Sequence, residues 1–234
     1  MSRSRDSLNI NQQQHTRSLQ GAHLSDLATS EYFGRGVRDN PLARVWHKTH
    51  AGLRSFAAHP DPLAEASNWV ALTVGSHLPF WPLYIFWAAG WEALPSALLT
   101  AAMTPVFLAI PLLSRRSGLA ARIAMPLMGI TNTVFTIWIL GANSGTEVFL
   151  VPCAALAALT FRRNERLLML GLTILPLAVW YLMQLFPLTP LHHYSATVAR
   201  ELQVLNVFSI GTLIALFGWF QVDIYRKMEA LDRH

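Results

Sequence analysis

Few side chains in the apolar body of this chain can do chemistry, and their spacing makes them converge. His77, Trp81 and Tyr84 recur at helical spacing, which would put them on one face of one helix. Gly129, Asn132 and Thr136 share a face of a second helix, Asn143 and Glu147 flank a hairpin, and Glu92 opens another helix. A polar side chain in hydrocarbon must find a partner or water, so it turns toward the interior of a bundle. An imidazole, an amide, a hydroxyl and a carboxylate among aromatic rings are the usual make-up of a small-molecule pocket, here expected to face outward. The candidate ligand-binding residues are therefore His77, Trp81, Tyr84, Asn132, Thr136 and Glu147. Each also has a structural role open to it. His77 can bond a carbonyl freed by a proline, Asn132 and Thr136 can hold helices together, and Glu147 can reach water from the interface.

Enzymatic signatures are missing. There is no GxSxG elbow, phosphate-binding glycine loop, HExxH, CxxC or paired-Asp arrangement. His192 and His193 are adjacent, which does not build a metal site, so neither a metal nor a cofactor is expected. Cys153 is the single cysteine, which rules out an intrachain disulfide. No lysine falls in the apolar spans, so a retinal Schiff base has no anchor. Whether the protein takes part in catalysis through an effector is left open.

The elements that must position these residues are read from hydropathy and charge. Hydrophobic residues make up 53% and charged residues only 13%, against about 25% charged in soluble domains. Six apolar spans, Asn68–Ala89, Glu92–Leu113, Leu119–Gly141, Gly145–Phe161, Leu167–Phe186 and Gln203–Tyr225, are each near the length of about 20 residues that crosses a bilayer. Of the 18 Lys and Arg residues, Arg200 alone falls in an odd-numbered connection. The others precede the first span, lie around the second and fourth connections (Arg115, Arg116, Arg122; Arg162, Arg163, Arg166) or follow the last span. The positive-inside rule then puts both termini in the cytoplasm. The net charge of +5 reflects this topology and an anionic inner leaflet, and implies no nucleic-acid partner.

The expected fold class is all-α: a polytopic six-helix transmembrane bundle with an N-terminal cytoplasmic amphipathic helix. Residues 1–38 read as a disordered cytoplasmic arm, rich in Ser, Gln and Asn. Residues 39–67 read as an amphipathic helix and linker. Asp39 or Asn40 caps it, Leu42, Val45, Trp46, Leu53 and Phe56 line one face, and His59-Pro60-Asp61-Pro62 ends it. Residues 39–58 would lie on the anionic inner leaflet or against a cytoplasmic partner. Residues 68–225 form the transmembrane domain and 226–234 a cytoplasmic helical extension. Eight prolines lie within the spans, and Pro79 with Pro82 in one helix can open a cavity in the outer half of the bundle.

Two segments resemble known modules. Gly75-Ser-His-Leu-Pro-Phe-Trp-Pro-Leu-Tyr-Ile-Phe-Trp87 resembles the first helix of the six-helix receptor module of CqsS-type quorum-sensing kinases. Leu140-Gly-Ala-Asn-Ser-Gly-Thr-Glu-Val-Phe149 is similar to the third hairpin of the membrane modules of some class III adenylate cyclases. The resemblance spans about residues 68–228. It implies a sensor in a bacterial inner membrane whose last helix, with Asp223, Arg226 and Lys227, carries the output. No phosphoacceptor box or cyclase metal site lies within these residues, so the effector is expected on another chain or in a longer protein.

The leading expectation is a receptor module that binds a small amphiphilic molecule and signals through its last helix to a cytoplasmic effector, a partner or a second copy. A small transporter is the first alternative, though no internal repeat is evident and the spans lack midplane charges. A scaffold subunit of a membrane complex is the second.

Overall fold

The computed structural model describes residues 41–232, and every regular element among them is helical. The arm 1–38 lies outside the described residues, as do the side chains of Leu42, Val45, Trp46, Asp223, Arg226 and Lys227. The chain divides into two units, 1–55 and 56–234. The first carries most of helix α1 (Pro41–Ala57), and the second is the bundle.

In the bundle, α2 (Pro62–His77) runs through a 3-10 turn (Leu78–Phe80) into α3 (Trp81–Ala89). Helices α4 (Leu94–Thr100) and α5 (Thr104–Ser114) form the next pass, and α6 (Gly118–Leu140) the one after. Two 3-10 turns lead to α7 (Leu150–Thr160), followed by α8 (Arg166–Leu185) and the long α9 (Ala196–Asp232). Among the described residues, four helical runs are long and apolar enough to cross a membrane: Trp91–Ser114, Gly118–Leu140, Arg163–Leu185 and Ala196–Val222. The protein is thus an all-helical, multi-pass membrane protein. The run Thr146–Thr160 is apolar but shorter. At about 1.5 Å per residue it covers roughly 22 Å, against a hydrocarbon core of about 30 Å. The first expected span is helical from Pro62 to Ala89, but broken at Leu78–Phe80.

Two breaks in the helices have one cause. Pro82 and Pro105 have no N–H to donate to Leu78 and Ala101, four residues back. In each case the residue before the proline takes over, with Trp81 N–H bonding Leu78 O and Thr104 N–H bonding Ala101 O at 3.0 Å. The helix tightens to an i to i+3 turn and continues in a new direction. Pro95 and Pro152 lie in first turns, where no donor is lost. Not every proline in a span bends its helix.

Glycines make the tight turns between passes. Gly90 and Gly141 end α3 and α6 at φ 76° and 81°, and their N–H groups bond Phe86 O and Ile137 O, each at 2.8 Å. The fifth connection is shorter than the Pro187–Leu202 expected, because α9 already begins at Ala196. Ser195 makes this start possible: its Oγ accepts from Val198 N–H at 3.3 Å, and its carbonyl accepts from Ala199 N–H.

Helices α2, α5, α6, α7 and α9 share a core of Val70, Leu78, Phe107, Ile110, Met125, Leu156 and Phe217. A second core, with Ile85, Ala97, Ile139 and Leu202, joins α3, α4 and the end of α6 to the start of α9. Helix α8 packs mainly on α7, leaving Leu167, Leu177 and Tyr181 exposed, as befits a helix facing lipid.

At the end of the bundle holding the basic connections, Arg122 is 3% exposed. Its guanidinium bonds both carboxylate oxygens of Glu165 at 2.7 and 2.8 Å, and Thr160 O at 3.2 Å. Asp61 lies 3.6 Å from Arg122 Nε and 3.1 Å from Arg162, and its Oδ1 caps α2 through Leu63 N–H. Beside this cluster, buried Asn68 donates to Ala57 O and to Ser114 Oγ, both at 2.9 Å.

Candidate functional site

Helices α2, α6, α7 and α9 enclose a cavity of about 410 Å³. Its size falls within the usual range of small-molecule sites, about 300–1,000 Å³. The walls are mostly apolar: Leu78 and Trp81, Phe107, Met125, Leu156, and Leu213, Leu216 and Phe217 on α9. Among the described residues, no Asp, Glu, Lys or Arg lines it.

Four of the six predicted ligand-binding residues line this one cavity: His77, Trp81, Asn132 and Thr136. Tyr84 does not. The 3-10 turn after His77 rotates α3 relative to α2, and Tyr84 faces a separate groove beside Arg200, Glu201 and Phe208. Glu147 is half-buried in the turn before α7 and does not line the cavity, although its neighbour Thr146 does.

His77 makes its close contact within its own helix. Nδ1 lies 2.7 Å from Thr73 O, and since a carbonyl only accepts, Nδ1 is the donor. This carbonyl is not one freed by proline, since Pro79 and Pro82 release those of Gly75 and Leu78. Asn132 differs from the other cavity-lining polar groups, because its Oδ1 is buried and has no hydrogen-bond partner. The hydroxyls of Thr100, Thr133 and Thr212 instead donate back to carbonyls of their own helices at 2.6, 2.9 and 3.1 Å.

Asn206 is the residue that sequence reasoning missed. It is 1% exposed, lines the cavity, and donates to Ser144 O at 2.8 Å. It thereby ties α9 to the hairpin after α6. Gly145, at φ 71°, lets the two meet, since a Cβ there would lie 2.8 Å from Gln203 Cγ. The signal was an Asn within an otherwise apolar span, the same signal that marked Asn132. Gly129 plays a similar part on the other side, where a Cβ would fall 2.7 Å from Cys153 Sγ, so α6 and α7 approach closely at the cavity wall.

The cavity reaches the bundle's outer surface between α2 and α9. His77, Phe208 and Thr212 line it and are also exposed, Phe208 at 75%. The connection before α9 is pinned to the bundle, with Leu191 N–H bonding Trp138 O at 2.8 Å and Tyr194 OH 3.0 Å from Ser96 Oγ. Burial raises the Tyr194 phenol above its ordinary pKa.

The site is thus an internal cavity in a multi-pass helical membrane domain. The MASE7 family model matches residues 69–190, just over half of the chain, and the protein belongs to this family of membrane-associated sensor domains. No curated protein matches it.

Proposed function

We propose that this protein is a sensor module that binds a small amphiphilic molecule in the cavity and reports occupancy through α9. Six crossings with both termini in the cytoplasm of a bacterial inner membrane best fit the distribution of Lys and Arg. In this arrangement the broken run Pro62–Ala89 and the short run Thr146–Thr160 complete the six. Family membership supports sensing, and the resemblance to CqsS-type and cyclase-linked modules supports output to an effector or a second copy.

The observation that carries the proposal is the position of α9. One helix of 37 residues forms a wall of the cavity through Asn206, Thr212 and Phe217, then continues without a break to Asp232. A ligand that prefers one packing of this wall shifts the whole helix toward that packing, since only differential affinity moves an equilibrium. A tenfold bias needs about 1.4 kcal/mol, within reach of one good hydrogen bond to a desolvated group. Asp223, Arg226 and Lys227 on its extension would carry the output, and residues 39–58 would rest on the anionic inner leaflet.

Spin labels at Ser117 and Val222, in protein reconstituted in bilayers, test the reading. Saturating amphiphile should change their distance distribution, and His77→Ala or Asn132→Ala should blunt the change while leaving insertion intact. An unchanged distribution at saturation, or net uptake of the amphiphile by proteoliposomes, would overturn it in favour of a scaffold or a transporter respectively.

A further inference from the structure

We infer that the cavity's ligand is a neutral, lipid-soluble molecule whose polar group is a hydroxyl, placed to donate to Asn132 Oδ1. The inference rests on the sensor reading and specifies its ligand. Asn132 Oδ1 is a buried acceptor on the cavity wall with no partner. A buried polar atom left without a partner is costly, and the remedy is a donor supplied from the cavity. The walls do not supply it: the Thr133 and Thr212 hydroxyls give their hydrogens to Gly129 O and Phe208 O. A carbonyl or ether oxygen cannot satisfy Oδ1, because it has no hydrogen to give. A hydroxyl can donate to Oδ1 and also accept from the Asn132 amide or Thr136.

Charge and access narrow the class further. With no Asp, Glu, Lys or Arg on its described wall, the cavity offers no permanently charged counter-ion, so a carboxylate or ammonium head would be poorly solvated in a low-dielectric site. On the α9 side the opening, at Phe208, lies part-way along the apolar run Ala196–Val222, which suits entry from the lipid phase. At about 30 Å³ per water-sized group, the cavity's volume of about 410 Å³ holds roughly fourteen non-hydrogen atoms.

The test uses the full chain in lipid nanodiscs and three probes of matched length: 1-undecanol, 2-undecanone and undecanoate. Thermal midpoints against probe concentration give apparent Kd values. The alcohol should bind roughly tenfold tighter than the ketone, the difference expected from satisfying one buried acceptor, and undecanoate should bind weakest. Asn132→Leu, close in shape, should erase the gap between alcohol and ketone, and non-specific bilayer effects cancel in that comparison. Ketone binding as tight as alcohol to the wild-type protein would overturn the hydroxyl assignment and leave the sensor reading standing; this arm needs no variant. Absence of saturable stabilisation by all three probes would overturn both.

Discussion

Arg122 and Glu165 face each other through two parallel hydrogen bonds of 2.7 and 2.8 Å, and together they fasten α6 to the turn that starts α8. The arginine was read from the sequence as a topology signal. In the structure it is a buried cation whose further contacts include Asp61, Thr160 O and the Phe161 ring, which bring in the start of α2 and the end of α7. Four parts of the chain thus meet at one guanidinium.

Removing Glu165 leaves this cation with Thr160 O and the more distant carboxylate of Asp61. Glu165→Ala should cost about 1.5–3 kcal/mol, the usual worth of hydrogen bonds to a charged group, since Glu165 itself is part-buried. Arg162→Ala, which removes an exposed partner of Asp61, should cost under about 1 kcal/mol. Thermal unfolding in nanodiscs checks the order, and similar losses for the two would show that Arg122 is hydrated rather than buried.

Gly129→Ala should destabilise by about 1–3 kcal/mol, because its Cβ would sit 2.7 Å from Cys153 Sγ. The double variant Gly129→Ala with Cys153→Ala removes the sulfur and should recover most of the loss, since the Cys153 Cβ stays 4.0 Å away. A double-mutant cycle measures this, and simple additivity would mean the two helices are not in contact there.

Asn206→Leu breaks the bond to Ser144 O and should cost about 1–3 kcal/mol, since a buried carbonyl loses a partner. It should also weaken the coupling between ligand and α9, because the hairpin would no longer hold the helix. The labels at Ser117 and Val222 provide the readout: a wild-type response in this variant would show that the hairpin contact is not part of the output.

A phosphatase reporter that is active only outside the cytoplasm, fused after Thr189 and separately after His234, checks orientation. Activity is expected at Thr189 alone. Activity after His234 would overturn the arrangement with both ends inside.

Much of the fold was legible because its signals are local. Apolar runs, their lengths and the basic connections need only the chain and the solvation physics of a bilayer, and they led to an all-helical, multi-pass protein. The convergence of His77, Trp81, Asn132 and Thr136 on one cavity was also within reach, because buried polar groups in apolar helices turn inward. The departures arose where a proline or a distant partner intervened. Strict helical spacing put Tyr84 beside His77, but Pro82 forces the i to i+3 turn at Leu78–Phe80 and sends Tyr84 to another groove. Glu147 was placed by its nearness to a hairpin, and the geometry of that hairpin turned Thr146 inward in its stead. That Arg122 is buried against Glu165, that Asn206 holds Ser144, and that Asn132 Oδ1 is left unpaired are relations between residues far apart in the chain or, for Asn132, the lack of any such relation. Tertiary packing alone decides these, since hydropathy and spacing record the nature of each side chain but not the atoms that come to lie beside it.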